Sequence, residues 1–325
     1  MALLRNSIHC DQCPIARGKL RSRSRVAVRC VADSRPAVLI TGSSTGIGKT
    51  TALHLSKKGW QVFAGVRRDA DGEALVREDP SVVPVILDVT SNASTAAAVA
   101  EVAAQLSGRN LSGLVNNAGK GVFMPIELMP MEQFEDVLAV NLTGVVRVTK
   151  AALPLLRKAR PDQQPGRIVN LGSYAGTVAA PLFGAYAASK FGLEAVSDAM
   201  RYELGPKWGI RTVLIKAGGV KTPIWDKSIG SSEAMLAALD PERLRPYKGM
   251  CEEMIGVARS AEENGIPPAE VAATVEEALT AASPRARYLI GNGAARDMTA
   301  RRLLPDWLFD RLLLGSLTKT SAPLD

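Results

Sequence analysis

Histidine and cysteine are scarce in this 325-residue chain, and long apolar runs are missing from it. Only His9 and His54 occur; His9 falls in a basic leader, and His54 falls in a helix expected after a glycine loop. Catalysis through a histidine base is therefore excluded. Three of the four cysteines (Cys10, Cys13, Cys30) crowd into that leader, leaving Cys251 alone in the body. Cys10-x-x-Cys13 has the spacing of a zinc or redox half-site, but no second pair completes it, so no metal site is expected. Cys251, with no histidine to activate it, reads as structural. No stretch approaches the roughly 18 uninterrupted apolar residues of a spanning helix. At 46% hydrophobic and 22% charged, the chain fits a globular protein with a substantial buried core.

Acids are also rare where bases concentrate. Of a net charge of +8, the segment Met1 to Arg35 carries +6, from eight bases (Arg5, Arg17, Lys19, Arg21, Arg23, Arg25, Arg29, Arg35) against Asp11 and Asp33. The remainder carries only +2, so a basic footprint confined to a leader argues against a nucleic-acid partner. Residues 1–35 are rich in Arg and Ser and lack a hydrophobic secretory core. They resemble an organellar transit peptide, with Val28-Arg29-Cys30-Val31-Ala32 similar to a plastid processing site. The expected location is the chloroplast, with the mitochondrion as alternative; a basic tail on a cytosolic protein is the plainer reading.

From Pro36 onward short apolar runs alternate with helical patterns, the signature of βαβ units and a parallel sheet. Strands are expected over 37–40, 61–65, 82–87 (interrupted by Pro84), 113–116, 167–171, 211–215 and 287–290. Helices are expected over 49–58, 94–106 and 132–157, from Tyr186 to a stop at Gly205-Pro206, and from Pro268. No internal repeat or linker appears, so 36–325 reads as one domain. Residues 222–267 break the rhythm with scattered glycine and proline, well placed after the sixth strand to cover a substrate. The tail, over about 296–317, carries Leu303, Leu304, Trp307, Leu308, Leu312, Leu313 and Leu314 among charges and reads as one amphipathic helix. It would pack on its own domain or an oligomer partner, or lie on a membrane surface.

Thr41-Gly42-Ser43-Ser44-Thr45-Gly46-Ile47-Gly48 follows the first strand and opens the first helix. Glycines at such a turn let backbone N–H groups approach a pyrophosphate at the positive end of a helix. The spacing is Gly-x-x-x-Gly-x-Gly, and an ordinary strand-to-helix turn is the competing reading. Together with Asp88 after the third strand and Asn116-Asn117-Ala118-Gly119 after the fourth, this loop resembles the short-chain dehydrogenase/reductase family. The resemblance runs closely over Pro36 to Pro223 and more loosely to Ile290. It implies a single Rossmann-type, doubly wound parallel α/β sheet flanked by helices. It also implies that Asp88 and Val89 contact the adenine, while Asn116 and its neighbours Ala118 and Gly119 support the cofactor edge. An acid ending the second strand would hold the ribose of NAD and repel the extra phosphate of NADP. This chain has Val66 there, then Arg67 and Arg68. A guanidinium suits a phosphate, so NADP(H) is favoured over NAD(H), with Arg67 as the main contact and Arg68 and Thr45 in support.

Tyr186 and Lys190 form Tyr-x-x-x-Lys on an expected helix, one turn apart on one face. A free phenol titrates near 10, and a neighbouring ammonium favours its ionised form. Ser173 follows the fifth strand, and Asn141 sits among apolar neighbours in the long helix, where Thr143-Gly144 makes a local kink plausible. The order Asn141, Ser173, Tyr186, Lys190 is that of the family. The resemblance implies that Tyr186 transfers the proton on the substrate oxygen and Ser173 holds that oxygen. Lys190 would lower the Tyr186 pKa and bind the nicotinamide ribose, and Asn141 would position a water that relays protons from Lys190.

One departure stands out: where the family has Pro-Gly after the sixth strand, this chain has Ala217-Gly218. Val220 and Thr222 remain where the family holds the nicotinamide amide. The segment Val62 to Arg67 and the long insertion are similar to the hydroxysteroid and retinol dehydrogenase branch. The implied activity interconverts an alcohol and a ketone or aldehyde on a lipophilic substrate (steroid-, retinoid- or terpenoid-like, or a lipid), in a homo-oligomer. A catalytically retired dinucleotide-binding sensor or scaffold is the alternative.

Overall fold

The computed structural model describes residues 34–157, 164–292 and 294–315. The leader, with its three cysteines and the processing site read in it, lies outside the described residues, as does the tail beyond 315. Contacts group Arg35–Asp325 into one unit.

Its frame is a seven-stranded parallel sheet: β1 (Ala37–Ile40), β2 (Gln61–Val66), β3 (Val83–Ile86), β4 (Gly113–Asn116), β5 (Arg167–Ser173), β6 (Arg211–Ala217) and β7 (Arg287–Ile290). The spatial order is β3-β2-β1-β4-β5-β6-β7. Every residue of β1, β2 and β4 is buried, because crossover helices cover both faces of a parallel sheet. Alternate residues then feed two cores. Val38 and Ile40 join Leu55, Val62, Val271 and Val275 on one face. Leu39 and Phe63 join Val102, Leu114, Val148 and Ile168 on the other. Pro84, which interrupts the apolar run around it, is accommodated because β3 pairs with β2 alone and needs no donor on its outer side.

On one face lie α1 (Gly46–Lys57) and α10 (Pro268–Thr280), joined by the 2.6 Å contact between His54 Nε2 and Glu276 Oε2. The single histidine of the body is thus an inter-helix strut. The helix following β2 is α2 (Asp69–Glu78). The other face holds α3 (Asn92–Leu106) and a composite rod: α4 (Met131–Leu138), one π turn (Ala139–Thr143) and α5 (Gly144–Leu156). By length and mean hydropathy (1.2) this 26-residue rod could cross a membrane. Here its apolar side, Val137, Val145, Val148, Ala152 and Leu156, is buried against the protein's own core.

Three elements differ from the sequence-based expectation. Helix α6 (Gly184–Trp208) runs through Gly205-Pro206 and ends only at Gly209, whose φ of +69° breaks the ladder. Its last turn is held by the Arg157 guanidinium lying 4.1 Å from the Trp208 ring centroid. The expected single tail helix is two, α11 (Ala294–Leu303) and α12 (Asp306–Gly315), because Pro305 removes a donor and disfavours helical backbone at Leu304. Residues 222–267 fold as α7 (Ile224–Ala237), the short α8 (Pro241–Leu244) and α9 (Lys248–Glu263). They share a separate apolar cluster with Phe123, Met124 and Leu182, in which Cys251 is buried; burial also pushes its thiol above the ordinary range.

Candidate active site

The sheet order reverses between β1 and β4, so the loops leaving their carboxyl ends diverge and open a crevice, the usual ligand position in such sheets. Its volume is about 580 Å³. One wall is the glycine loop: Gly42, Ser44, Thr45, Gly46 and Ile47 line the crevice. Gly42 and Gly46 take φ values of +68° and +58°, backbone that side chains resist. Gly48 lies behind the loop, where a Cβ would collide with the Gly42 carbonyl and Asn117 Nδ2. The loop is tied down by Asn117, whose Nδ2 donates to the carbonyls of Thr41 and Gly42 at 2.9 and 3.0 Å and whose N–H donates to Thr41 Oγ1 at 3.0 Å.

Thr45 stands at the N-terminus of α1 without capping it, and the first turn carries no acid. The free N–H groups and positive end of the helix therefore face the crevice unopposed, which suits an anionic diphosphate. Arg67, Asp88, Val89, Ala118, Gly119, Thr222, Tyr186 and Lys190 line the same space. Thr90 donates to Asp88 Oδ1 from both its N–H (2.9 Å) and its hydroxyl (2.7 Å), and these bonds hold the carboxyl below the usual range.

Not every candidate reaches the crevice. Arg68 turns its guanidinium to Asp71 in a bidentate pair (3.0 and 2.8 Å), so that of the two arginines Arg67 lines the crevice. Asn116 is buried beneath the sheet's rim, donating to Asn170 Oδ1 at 2.8 Å and Thr149 Oγ1 at 3.1 Å. Val220 is buried too, bridged in parallel to Ile266. These two brace the walls.

The catalytic candidates do converge. Ser173 closes β5, Tyr186 and Lys190 lie in the first two turns of α6, and Asn141 occupies the π turn. Lys190 Nζ donates to the Leu171 carbonyl at 2.8 Å and sits 5.6 Å from the Tyr186 ring centroid. Burial lowers the Lys190 pKa to about 8. Burial also raises the Tyr186 phenol, opposed by a hydrogen bond with the Ser173 hydroxyl. Burial, and not the lowering expected from Lys190, governs the phenol. Asn141, fully buried, uses its side chain as a strut: Nδ2 donates to the Lys120 carbonyl (2.9 Å) and to Ser189 Oγ (3.0 Å), and Oδ1 accepts from the Lys120 N–H (2.9 Å). Ser189 Oγ in turn donates to the Tyr186 carbonyl at 2.6 Å, so Asn141 positions the Tyr186 turn.

Three contributors were not singled out from the sequence. Asn117 is legible in retrospect as the second Asn of Asn116-Asn117. Lys120 also lines the crevice, paired with Asp136. Lys227, on α7, reaches the crevice from 182 positions beyond Thr45 and carried no local signal.

The short chain dehydrogenase family model matches residues 36–232. The chain belongs to the short-chain dehydrogenase/reductase family. It is 30% identical over 282 residues to the NADPH-dependent 3-dehydrocapnine reductase of Ornithobacterium rhinotracheale, covering 86% of this chain and 97% of that one. It is 34% identical over 292 residues to retinol dehydrogenase 7 of Mus musculus, covering 88% and 90%. The resemblance lies in the retinol and hydroxysteroid dehydrogenase branch. Among solved structures, a short-chain dehydrogenase from Streptomyces avermitilis superposes with a TM-score of 0.69 at 23% identity, covering 90% of this chain and all of that one, and so shares the fold. Membership makes this chain an oxidoreductase of the alcohol–carbonyl type that binds a nicotinamide dinucleotide.

Proposed function

We propose that this oxidoreductase uses NADP(H) to interconvert a lipophilic alcohol and its ketone or aldehyde, with Tyr186 as the proton-transferring group. The carrying observation is that Tyr186, Lys190, the glycine loop and Arg67 line one crevice, with the Ser173 hydroxyl lowering the phenol against the effect of burial. The bound nicotinamide supplies or takes the hydride at its C4. In the reducing direction Tyr186 donates its proton to the substrate oxygen, and Ser173 donates a hydrogen bond to the same atom. The buried Lys190 ammonium, anchored on the Leu171 carbonyl, sits where it stabilises the phenolate left behind and binds the adjoining ribose.

Arg67 supports NADP(H) over NAD(H), as does the NADPH dependence of the similar 3-dehydrocapnine reductase. A lipophilic substrate is supported by the aromatic series beside the phenol. Phe183 meets the Tyr186 ring edge-on with centroids 6.4 Å apart, and Phe123 lies 4.6 Å from Phe183 and 6.2 Å from Trp225. Such rings bury apolar surface with little loss of side-chain freedom.

The test is oxidation of NADPH and of NADH by purified protein with ketones and aldehydes graded in hydrophobicity. The expected result is turnover with NADPH that rises in kcat/KM with substrate hydrophobicity, and an Arg67→Ser variant that loses about tenfold of the NADPH preference, the size of one charge-assisted bond. Turnover confined to water-soluble substrates, or to NADH, would refute this reading.

A further inference from the structure

Lys227 is an exposed residue in the first turn of α7, and its ammonium lies 3.4 Å from Thr45 Oγ1 at the head of the glycine loop. Its backbone is firmly placed. Trp225 Nε1 donates to the Val220 carbonyl at 2.9 Å, the Phe123 N–H donates to Ser232 Oγ at 2.8 Å, and Ile229 and Leu236 are buried. Positions three and four residues away along α7 (Pro223, Ile224, Gly230, Ser231) carry no acid, so its own helix offers no i,i+3 or i,i+4 ion pair.

Arg67 approaches the same spot from the end of β2. It and Lys227 both pull the Asp71 carboxyl down, though Arg68 does so most strongly, through its bidentate bonds. Asp71 is thus already neutralised by Arg68. Among the described residues, neither Arg67 nor Lys227 makes an ion pair. Two cations without an ion-pair partner among the described residues therefore line the one crevice, Arg67 just after β2 and Lys227 on α7.

We propose that Lys227 is a specificity-determining residue for the cofactor, closing with Arg67 on the 2′-phosphate of the adenosine ribose so that this phosphate pins α7 in place beside the substrate side. The inference rests on the NADP(H) reading above and extends it to a residue outside the Rossmann half. Charge matching favours it: a phosphomonoester carries about −1.5 to −2 at neutral pH, which one guanidinium leaves only partly neutralised. The diphosphate is served instead by the glycine-loop N–H groups. The residues of α7 on either side of Lys227 explain the consequence. Ser232 bonds the Phe123 N–H, and Trp225 stacks on Phe123, within the aromatic series that runs to Tyr186. A phosphate contact at Lys227 thus braces the aromatic series that runs to Tyr186, and by linkage substrate and NADP(H) tighten each other where NAD(H) does not.

The experiment is a set of binding titrations on the full chain, by tryptophan fluorescence, with NADP+, NAD+, adenosine 2′,5′-bisphosphate and adenosine 5′-phosphate. Wild type is compared with Lys227→Gln and Lys227→Arg, and thermal melts of the free proteins serve as the folding control. Lys227→Gln should raise the Kd for NADP+ and for the 2′,5′-bisphosphate about tenfold, the equivalent of one good charge-assisted contact. It should leave NAD+ and the 5′-phosphate within about twofold, and Lys227→Arg should restore most of the loss. Equal weakening of NAD+ and NADP+ would move Lys227 to the diphosphate and overturn the proposal, as would no weakening of either. Hydrogen exchange reads the second half: α7 amides should be slowed more by saturating NADP+ than by NAD+, and the difference should vanish in Lys227→Gln. Equal protection by both would overturn the link to the aromatic series. If wild type itself binds NAD+ as tightly as NADP+, the cofactor reading falls; if it prefers NADP+ and Lys227→Gln keeps that preference, only the role of Lys227 falls.

Discussion

Lys190 is 6% exposed, has the Leu171 carbonyl as its fixed partner, and titrates at about 8 instead of 10.5 because burial disfavours its charge. The consequence for stability has a definite sign. Between pH 8 and 10.5 the unfolded chain holds a proton at this lysine that the folded chain has released, so stability rises with pH across that window. Below it both states are charged and the full burial cost is present, about 3 kcal/mol at 1.36 kcal/mol per unit. Chemical denaturation of wild type and Lys190→Met across this range should show wild type gaining about 3 kcal/mol on the variant. A constant difference would mean that the ammonium is not desolvated. Residues with chemistry confined to their own neighbourhood were readable from sequence: Tyr186 and Lys190 four apart, and the glycines at 42, 46 and 48. Arg68 was legible in part, since Asp71 three positions on is the partner that removes it from the crevice. Lys227 was not, because only the folded chain brings it to Thr45.

At the scale of elements, the parallel strands were the easiest features to see, because burial on both faces writes them as apolar runs such as Val62-Phe63-Ala64. Proline misled in both directions. Pro206 looked like a stop in α6, yet the helix passes through it to a left-handed Gly209. Pro305 was absorbed into one amphipathic pattern, yet it divides α11 from α12. The kink expected at Asn141 exists as the π turn, and its meaning is visible only in three dimensions. There the amide fastens the Lys120 segment to the Tyr186 turn through Ser189. Asn141→Ala removes three buried hydrogen bonds and should cost about 3 kcal/mol, read as a lower urea midpoint at an unchanged slope. A loss below about 0.5 kcal/mol, the level of ordinary surface changes, would show that the strut is dispensable.

For the molecule as a whole, the reversal of strand order between β1 and β4 does the organising. It gathers residues spread from Gly42 to Lys227 into one crevice, which no local pattern announces. The segment 222–267 stands out in the sequence by its broken rhythm, but its organisation as α7 to α9 around a core of its own does not, since short helices with mixed composition leave weak periodicity. The tail keeps apolar surface outward, with Leu303, Trp307 and Leu312 all more than half exposed.

In the proposed reaction the Tyr186 hydroxyl moves the proton while the rest of the crevice holds the hydride carrier. Stopped-flow measurement on Tyr186→Phe separates the two, reading NADPH affinity from fluorescence and the hydride step from single-turnover oxidation with a reactive ketone. The expected result is an NADPH Kd within about twofold of wild type and a hydride step slowed about 1,000-fold, within the range of general acid catalysis. A hydride step as fast as that of wild type would contradict it.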